Sequence, residues 1–144
     1  MFWKHKTLDQ LNDQEWESLC DGCGRCCLNK LEDSETGTIY PTNIACRLLD
    51  IENCHCQDYP NRLQQVSDCM SLRHDLDNAL KWLPQSCAYR LLAEDKDLPE
   101  WHPLITGNKN SVIEAGMSIK YMAISEDEAG DPTEHILDDD AELY

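Results

Sequence analysis

The sequence predicts a small α+β protein, mainly helical, whose irregular single domain is stapled by a cysteine-bound metal or iron–sulfur cluster. Nine cysteines occur in 144 residues, and Cys20, Cys23, Cys26 and Cys27 fall in one short run. Apolar side chains recur at helical spacing, whereas strand patterns are short. Only 41% of the residues are hydrophobic, with a single Phe, so we expect a modest core that depends on metal cross-links.

Four segments are predicted as helices, namely residues 7–19, 67–83, 86–95 and a short stretch near 134–137. The first has a capping box, Asn12 with Glu15, ahead of its apolar face. The second carries leucines at helical spacing and ends at Pro84, because proline cannot continue a helix.

The remaining segments are predicted as turns, irregular chain and short strands. Residues 28–45 contain several turn-forming residues between apolar ones, which indicates a short hairpin or loop. We expect one helical turn over residues 46–50, irregular chain over 52–60 and an extended, proline-punctuated stretch over 98–104. Residues 117–124 are predicted as one strand near the C-terminus.

One cysteine-cluster domain is expected over residues 1–125, followed by an acidic tail over residues 126–144. The formal net charge is −16, and the tail holds nine acidic residues without Lys or Arg. Such composition is typical of a mobile, solvated segment. The negative charge argues against nucleic acid and anionic lipid as partners, because it repels phosphate. It favours cations or a basic protein surface.

The cysteines are expected to be reduced, in a cytoplasmic protein without a membrane partner. No stretch approaches the roughly 20 apolar residues that a membrane helix needs. Residues 1–9 have neither the apolar segment nor the cleavage site of a secretory signal. In a reducing compartment, clustered cysteines bind metal or do redox work. The odd cysteine count and the adjacent Cys26 and Cys27 also argue against disulfides.

The cysteine spacing is that of a metal ligand set. After the C-x2-C-x2-CC run, the further candidate ligands are Cys46, Cys54, Cys56, Cys69 and Cys87. Gly22 and Gly24 suit a metal-binding turn, which needs positive φ angles. Four thiolates suit zinc and iron equally, so the expected cofactor is zinc, iron or an iron–sulfur cluster.

The first run does not form a complete local site of the ferredoxin type. It matches the first three ligands of a bacterial ferredoxin, but Lys30 occupies the place of the fourth cysteine. We therefore expect the run to be half of a long-range site that pins the first helix to residues 46–69. For Cys87, two interpretations stay open: it is a metal ligand, or it is a buried structural thiol.

Other side chains are expected to support the cysteines. Tyr59 and Arg62 are candidates for hydrogen bonds to cluster sulfurs; the alternative is that Tyr59 packs and Arg62 pairs with an acid. Arg25 either offsets thiolate charge or is solvated. His55 and His102 are not expected to be ligands. The sequence has no catalytic triad, phosphate loop or H-E-x-x-H motif.

Several strings resemble a known family. The cysteine run, followed by Cys46, by Cys56-x2-Tyr59-x2-Arg62 and by Cys69, is similar to the bacterial CxxCxxCC cysteine-cluster family, described as zinc- or iron-chelating. The YcgN-type branch is the closer match, through W-E-S-L-C-D-G-C-G, W-L-P, C-A-Y-R-L-L-A-E and D-L-P-x-W-H-P-L. The resemblance covers about residues 2–137.

The resemblance implies a small cytoplasmic bacterial protein with a metal-bound cysteine cluster, and it implies no particular activity. The wider family has Pro after the Arg, whereas Leu63 follows Arg62 here. Flagellin lysine methylases share the cluster, but this chain lacks a glycine-rich cofactor loop of the usual kind. We therefore predict a chelator, carrier, sensor or redox partner. The alternatives are an enzyme that uses the cluster and a metal-stapled interaction module.

Overall fold

The computed structural model describes residues 1–65, 72–73 and 75–137. Its α-helices are α1 (Asp13–Ser18), α2 (Arg62–Gln65), α3 (Leu76–Ala79), α4 (Ala88–Ala93), α5 (Pro103–Thr106), α6 (Ser111–Glu114) and α7 (Glu126–Ala129). Its strands are β1 (Leu28–Glu32), β2 (Ile39–Ala45), β3 (Leu49–Asp50), β4 (His55–Cys56) and β5 (Ile124–Ser125). Single 3-10 turns occupy Phe2–Lys4, Leu8–Gln10, Arg25–Cys27, Tyr59–Asn61, Leu80–Trp82 and Pro132–His135. These elements confirm a small protein of helices and a few short strands.

The predicted first helix is divided at its capping residue. The Asn12 side chain accepts a hydrogen bond from the Glu15 amide at 2.8 Å, and the Glu15 carboxylate accepts one from the Asn12 amide at 3.0 Å. This confirms the capping box. The prediction of one continuous helix over residues 7–19 is wrong, because a capping residue has extended backbone. Asn12, the capping residue, has a ψ of 173°. A 3-10 turn therefore precedes α1.

Helices α1 and α4 pack together in the larger apolar cluster. Its buried members are Trp3, Leu11, Trp16, Leu19, Ala88, Tyr89 and Leu98. The Trp16 and Tyr89 ring centroids are 4.7 Å apart, and the Tyr89 hydroxyl donates to the Trp16 carbonyl at 2.7 Å. Helix α4 confirms the helix predicted over residues 86–95. This packing fixes the chain directly before Cys20 and directly after Cys87.

The helix predicted over residues 67–83 can be compared with the structure only in part. Residues 66–71 and 74 lie outside the described residues. Helix α3 continues into the 3-10 turn Leu80–Trp82, and Leu83 then becomes extended, with a ψ of 143°. The residue before a proline disfavours helical backbone, so the predicted end at Pro84 is confirmed.

A three-stranded sheet forms the second part of the molecule. Strands β1 and β2 are antiparallel, and β5 adds to β2 in parallel. The hairpin predicted over residues 28–45 is confirmed. A smaller apolar cluster lies on this side, with buried Leu28, Ala45, Leu49 and Ile119.

Strands β3 and β4 form a separate two-stranded ribbon. Leu49 pairs with Cys56 and Asp50 pairs with His55. The prediction of a helical turn over residues 46–50 is therefore wrong. Pairing with a later segment of the chain draws residues 49 and 50 into an extended conformation, and periodicity within five residues cannot reveal such a partner.

The strand predicted over residues 117–124 is wrong for most of its length. The structure bends the chain after Ile119, where the Met122 and Ala123 amides donate to the Ile119 carbonyl at 3.0 and 3.1 Å. Only β5, Ile124–Ser125, is extended and paired. The bend lets Ile119 become fully buried.

The stretch over residues 98–104 is not extended throughout. Helix α5 begins at Pro103, and the His102 ring accepts a hydrogen bond from the Leu104 amide at 3.0 Å. Proline is favoured in the first turn of a helix. The prolines of this segment therefore mark a helix start as well as extended chain.

The acidic segment after β5 contacts the sheet as far as residue 137. Ile136 forms a β-bridge with Thr42, and the Leu137 amide donates to the Pro41 carbonyl at 2.8 Å. The helical turn predicted near residues 134–137 lies slightly earlier, at Pro132–His135. Residues 138–144 lie outside the described residues, and a mobile tail over 126–144 stays a prediction.

None of the described helices has the length and apolar character that a membrane span requires.

Candidate metal centre

Two glycines and local hydrogen bonds shape the loop that carries the first four cysteines. Gly22 and Gly24 have φ angles of 76° and 80°, which residues with a Cβ rarely adopt. The Asp21 carboxylate accepts a hydrogen bond from the Cys23 amide at 2.9 Å. The Arg25 amide donates to the Cys23 sulfur at 3.5 Å. A sulfur that accepts an amide hydrogen bond is better able to carry the negative charge of a thiolate.

Ile119 covers this loop from a distant part of the sequence. Its amide donates to the Cys23 carbonyl at 3.0 Å. A Cβ at Gly24 would lie only 2.6 Å from Cγ1 of Ile119. Gly24 is thus needed both for its backbone angle and for the close approach of Ile119.

A cleft of about 340 Å³ opens beside the loop. Five of the predicted ligands line it: Cys20, Cys26, Cys27, Cys46 and Cys56. The other lining residues are aromatic, cationic, apolar or acidic: Trp16, Glu17, Leu48, Tyr59, Arg62, Leu72, Arg73 and Tyr89. The structure therefore brings the first cysteine group together with two members of the second.

The β1–β2 hairpin makes this meeting possible. It leaves the loop directly after Cys27 and returns directly before Cys46, and the Cys46 amide donates to the Cys27 carbonyl at 2.8 Å. The ribbon of β3 and β4 then places Cys56 at the same cleft. Two separate sequence segments thus supply thiols to one surface.

The other four predicted ligands have different positions. Cys23 is buried within the loop, and Cys87 precedes the first residue of α4. Cys54 does not line the cleft: its sulfur lies 3.3 Å from the Ser118 hydroxyl and 3.6 Å from the Ile51 carbonyl. Cys69 lies outside the described residues.

The thiols differ in how readily they ionise. Burial, with a smaller contribution from the Cys26 charge, raises the pKa of Cys20 to about 12. Burial also raises the pKa of Cys87 to about 12 and that of Cys23 well above its usual range. A hydrogen bond from the Cys27 thiol lowers the pKa of Cys26 to about 7, helped by the charge of Lys30. Cys26 therefore becomes a thiolate more easily than Cys20, Cys23 or Cys87.

For Cys20, the exposure of the whole residue and the ionisation of its sulfur point in different directions, and Cys26 is exposed as well. Each residue is exposed as a whole, whereas burial still raises the pKa of the Cys20 thiol. Both residues line the cleft. The local surroundings of the sulfur decide its ionisation, so the pKa of Cys20 is raised although the residue as a whole is exposed.

The cleft thiols do not converge on a single point. Across residues 1–65, 72–73 and 75–137, no group of three His, Cys, Asp or Glu side chains is placed to hold one metal ion. The chemistry of the cleft nevertheless fits zinc or iron, because five soft thiol ligands share one surface. Cysteine side chains reorient by rotation about a single bond.

Two cations lie beside the cysteine loop. Arg25 is only 3% exposed, and its Nε donates to the Met117 carbonyl at 2.9 Å. The Lys30 ammonium donates to the carbonyls of Arg25 and Leu28, both at 2.7 Å. Burial lowers the pKa of Lys30 to about 8, although the neighbouring Cys26 and Cys27 charges oppose this. A functional role for Lys30 was not predicted from the sequence. Its position, where the ferredoxin pattern has the fourth cysteine, would have indicated one.

Tyr59 and Arg62 line the same cleft and contact each other. The Arg62 guanidinium carbon lies 3.9 Å from the centre of the Tyr59 ring, and Nη1 donates to the Tyr59 carbonyl at 2.8 Å. The Tyr59 hydroxyl lies 3.5 Å from a carboxylate oxygen of Glu17, to which it donates. A supporting role at the cysteines stays a prediction for both residues.

The two histidines have ordinary structural surroundings. His102 is fully buried; one ring nitrogen contacts the Leu19 carbonyl at 2.8 Å and the other accepts from the Leu104 amide. Both nitrogens are thus engaged. His55 is exposed and lies 3.9 Å from the Asp50 carboxylate.

Comparisons with known proteins agree with the cysteine pattern. The model of the CxxCxxCC family, described as "Putative zinc- or iron-chelating domain", matches residues 19–88. A UPF0260 protein of Nitrobacter hamburgensis is 60% identical over 119 residues, covering 83% of this chain and 70% of that protein. UPF0260 protein YcgN of Escherichia coli K12 is 52% identical over 136 residues, covering 94% and 89%. No solved structure matches.

The loop, its glycines and the matched segment place the molecule among the CxxCxxCC cysteine-cluster proteins. At 52% identity over almost its full length, the chain belongs to the UPF0260 family, in which YcgN is a relative. This confirms the family suggested by the sequence strings.

Proposed function

We propose that the protein binds zinc or iron through the thiols of the cleft. The observation that carries this proposal is the meeting of cysteines from two chain segments at one surface. Soft thiolates are preferred ligands of both metals. The proposed ligands are drawn from Cys20, Cys26, Cys27, Cys46 and Cys56, with Cys23, Cys69 and Cys87 as further candidates.

The chain's own residues would prepare this centre in distinct ways. Gly22 and Gly24 give the loop its turns, and the Arg25 amide stabilises negative charge on Cys23. Cys26, with its lowered pKa, would lose its proton before Cys20, Cys23 and Cys87, whose pKa values are raised. The bound ion would supply the positive charge that makes the remaining thiols ionise, as metal binding to thiols releases protons.

A metal at this place would also staple the fold. It would join the loop after α1 to the ribbon of β3 and β4, and these segments otherwise meet through few buried apolar side chains. The binding energy of a structural metal becomes folding energy. This would explain how a chain with a modest hydrophobic content maintains a sheet of short strands.

In the cell, we propose a cytoplasmic chelator, metal carrier, sensor or redox partner. A reducing compartment keeps cysteines available to metal. An iron–sulfur cluster is one form of the iron hypothesis. The net charge of −16 favours a basic protein surface as a macromolecular partner.

The decisive experiment combines anaerobic purification, elemental analysis, an absorption spectrum and a native thiol titration. We expect bound zinc or iron with several thiols protected. Visible charge-transfer bands with acid-labile sulfide would identify an iron–sulfur cluster, whereas a colourless metal-bound protein would identify zinc. Metal-free protein with every thiol titratable would reject the proposal.

Matched serine variants test the location of the centre. Cys26→Ser removes a cleft thiol, and Cys54→Ser removes a thiol that points to Ser118 instead. We expect Cys26→Ser to lose most of the bound metal and Cys54→Ser to keep it. Equal loss from both variants would argue against a centre at the cleft.

A second candidate function is catalysis at the same centre. The cleft is large enough for a small molecule, and aromatic and guanidinium groups form part of its wall. A catalytic metal keeps one coordination position open. Azide added to the iron-loaded or cobalt-substituted protein should then change its absorption spectrum. An unchanged spectrum would favour a closed centre without catalysis.

A further inference from the structure

We infer that Arg25 and Lys30 supply the built-in positive counter-charge of the cysteine-bound centre, and that Lys30 also positions the Cys26–Cys27 turn. This inference rests on the proposed metal binding. It assigns a role to one cation of the cysteine loop, Arg25, and to one of the strand that follows it, Lys30.

Lys30 lies at the turn that carries Cys26 and Cys27. Its side chain reaches back from β1, and its ammonium donates at 2.7 Å to the carbonyls of Arg25 and Leu28. These two carbonyls bracket Cys26 and Cys27 in the chain. One ammonium group thus holds both ends of the turn that presents the adjacent thiols.

The burial of Arg25 is the second argument. The residue is 3% exposed, and its Nε donates at 2.9 Å to the Met117 carbonyl. The guanidinium therefore ties the loop to the segment that leads to Ile119, the residue that covers Gly24. A cation with such low exposure is costly unless negative charge lies nearby.

The charge balance is the third argument. A divalent ion held by four thiolates carries a net charge of minus two, and nearby positive charge stabilises such a centre. Arg25 and Lys30 together provide two positive charges. The whole chain has only 12 Lys and Arg residues against 28 Asp and Glu residues. Two of these few cations belong to the loop and to β1, in addition to Arg62 and Arg73 on the cleft wall.

Lys30 also stands out when the cysteine run is compared with the ferredoxin spacing. Lys30 occupies the sequence position at which that pattern would place a fourth thiolate. Here the position contributes a cation. The loop therefore keeps three ligand positions of the pattern, has Cys27 in addition, and gains a positive charge where a further negative charge would stand.

The test is zinc affinity, measured by competition with a chromophoric chelator at fixed pH and ionic strength. Lys30→Met removes the charge and keeps most of the length, and Lys109→Met is the control, since Lys109 is exposed. We expect Lys30→Met to weaken zinc binding about 10- to 100-fold, and Lys109→Met to leave it unchanged. Arg25→Met should weaken it in the same direction.

Two further readouts separate charge from simple packing. Lys30→Arg keeps the charge and should restore most of the affinity. The pH at which half of the zinc is lost should rise in Lys30→Met, because thiolates without a cation nearby are harder to form. Should Lys30→Met fail to fold by circular dichroism, Lys30→Gln replaces it, since its amide keeps a hydrogen-bond donor.

The outcomes distinguish this inference from the proposed function. Wild-type protein that binds neither zinc nor iron would overturn both. Wild-type protein that binds zinc, with a folded Lys30→Met or Lys30→Gln variant of equal affinity and equal pH midpoint, would overturn only the counter-charge inference.

Discussion

The helical part around α1 and α4 and the sheet part around β1 and β2 are stabilised in different ways. The helical part buries two tryptophans and a tyrosine in one cluster. The sheet part has a smaller apolar cluster of Leu28, Ala45, Leu49 and Ile119, with cysteines packed at its edge, and β2 also buries Pro41 and Ile44. Burial of large aromatic side chains is a major source of stability. The helical part can thus rely on apolar packing, whereas the sheet part needs a further cross-link.

The largest expected effect follows from removal of metal. A chelator should strongly reduce hydrogen-exchange protection in β1, β2 and the ribbon of β3 and β4, while α1 and α4 keep most of theirs. The reason is that structural metal binding contributes roughly 10 kcal/mol or more in small domains. Hydrogen-exchange mass spectrometry before and after chelation measures this. An equal loss of protection in both parts, or no loss in either, would show that metal does not stabilise the sheet part selectively.

The next effect concerns the loop between the two parts. Gly24→Ala should destabilise the protein by about 2–4 kcal/mol, because it combines a left-handed φ with overpacking against Ile119. Gly22→Ala is the matched control: its φ is also positive, but no atom lies within 4 Å of the added Cβ. It should cost about 1–2 kcal/mol.

Urea unfolding of both glycine variants, with metal content measured in parallel, tests this difference. A Gly24→Ala variant no less stable than Gly22→Ala would show that Ile119 yields easily. The loop would then be held less tightly by the sheet part than the structure indicates.

A smaller effect is expected inside the helical part. Tyr89→Phe removes the hydrogen bond from the hydroxyl to the Trp16 carbonyl and leaves the ring packing in place. The expected loss is about 1 kcal/mol in the free energy of unfolding, measured by urea titration. Metal content should stay unchanged. A drop in bound metal would show that the aromatic pair and the cysteine loop are more strongly coupled.

The smallest effect is a pH dependence at the start of α1. Hydrogen bonding to Asn12, and then to Lys6, lowers the pKa of Glu15 below its usual value of 4.5. A carboxyl whose folded-state pKa is depressed stabilises the protein above its unfolded pKa, and this stability is lost as pH falls through the folded pKa. Wild-type protein should therefore lose slightly more stability below pH 4.5 than Glu15→Gln. Urea titrations at several pH values measure this. The same dependence of the free energy of unfolding on pH in both proteins would contradict the prediction.

Local features of the fold were predictable, because their causes lie within a few residues. The capping box at Asn12 and Glu15 was one, and the hairpin of β1 and β2 was another. The turn that replaces the strand expected over residues 117–124 was not predictable, because there Ile119 packs against Gly24, far earlier in the chain. The ribbon of β3 and β4 likewise depends on a partner segment.

The candidate site shows the same limit. Spacing indicated that the Cys20–Cys27 run needs partners from residues 46–69, and the structure does place Cys46 and Cys56 at the same cleft. Spacing could not separate Cys56 from Cys54. Cys54 has a left-handed φ of 57°, and its sulfur contacts the Ser118 side of the turn. The structure thus places Cys56 at the cleft and directs the Cys54 sulfur toward Ser118.

The cover that Ile119 provides has a consequence for the order of events during synthesis. The residue follows Gly24 by about 95 positions, and a ribosome adds about 5 to 20 residues per second. The nascent cysteine loop is therefore without its cover for about 5 to 20 seconds. During that interval its thiols are open to the surrounding solution, so a metal ion can enter before the C-terminal third of the chain closes over the loop.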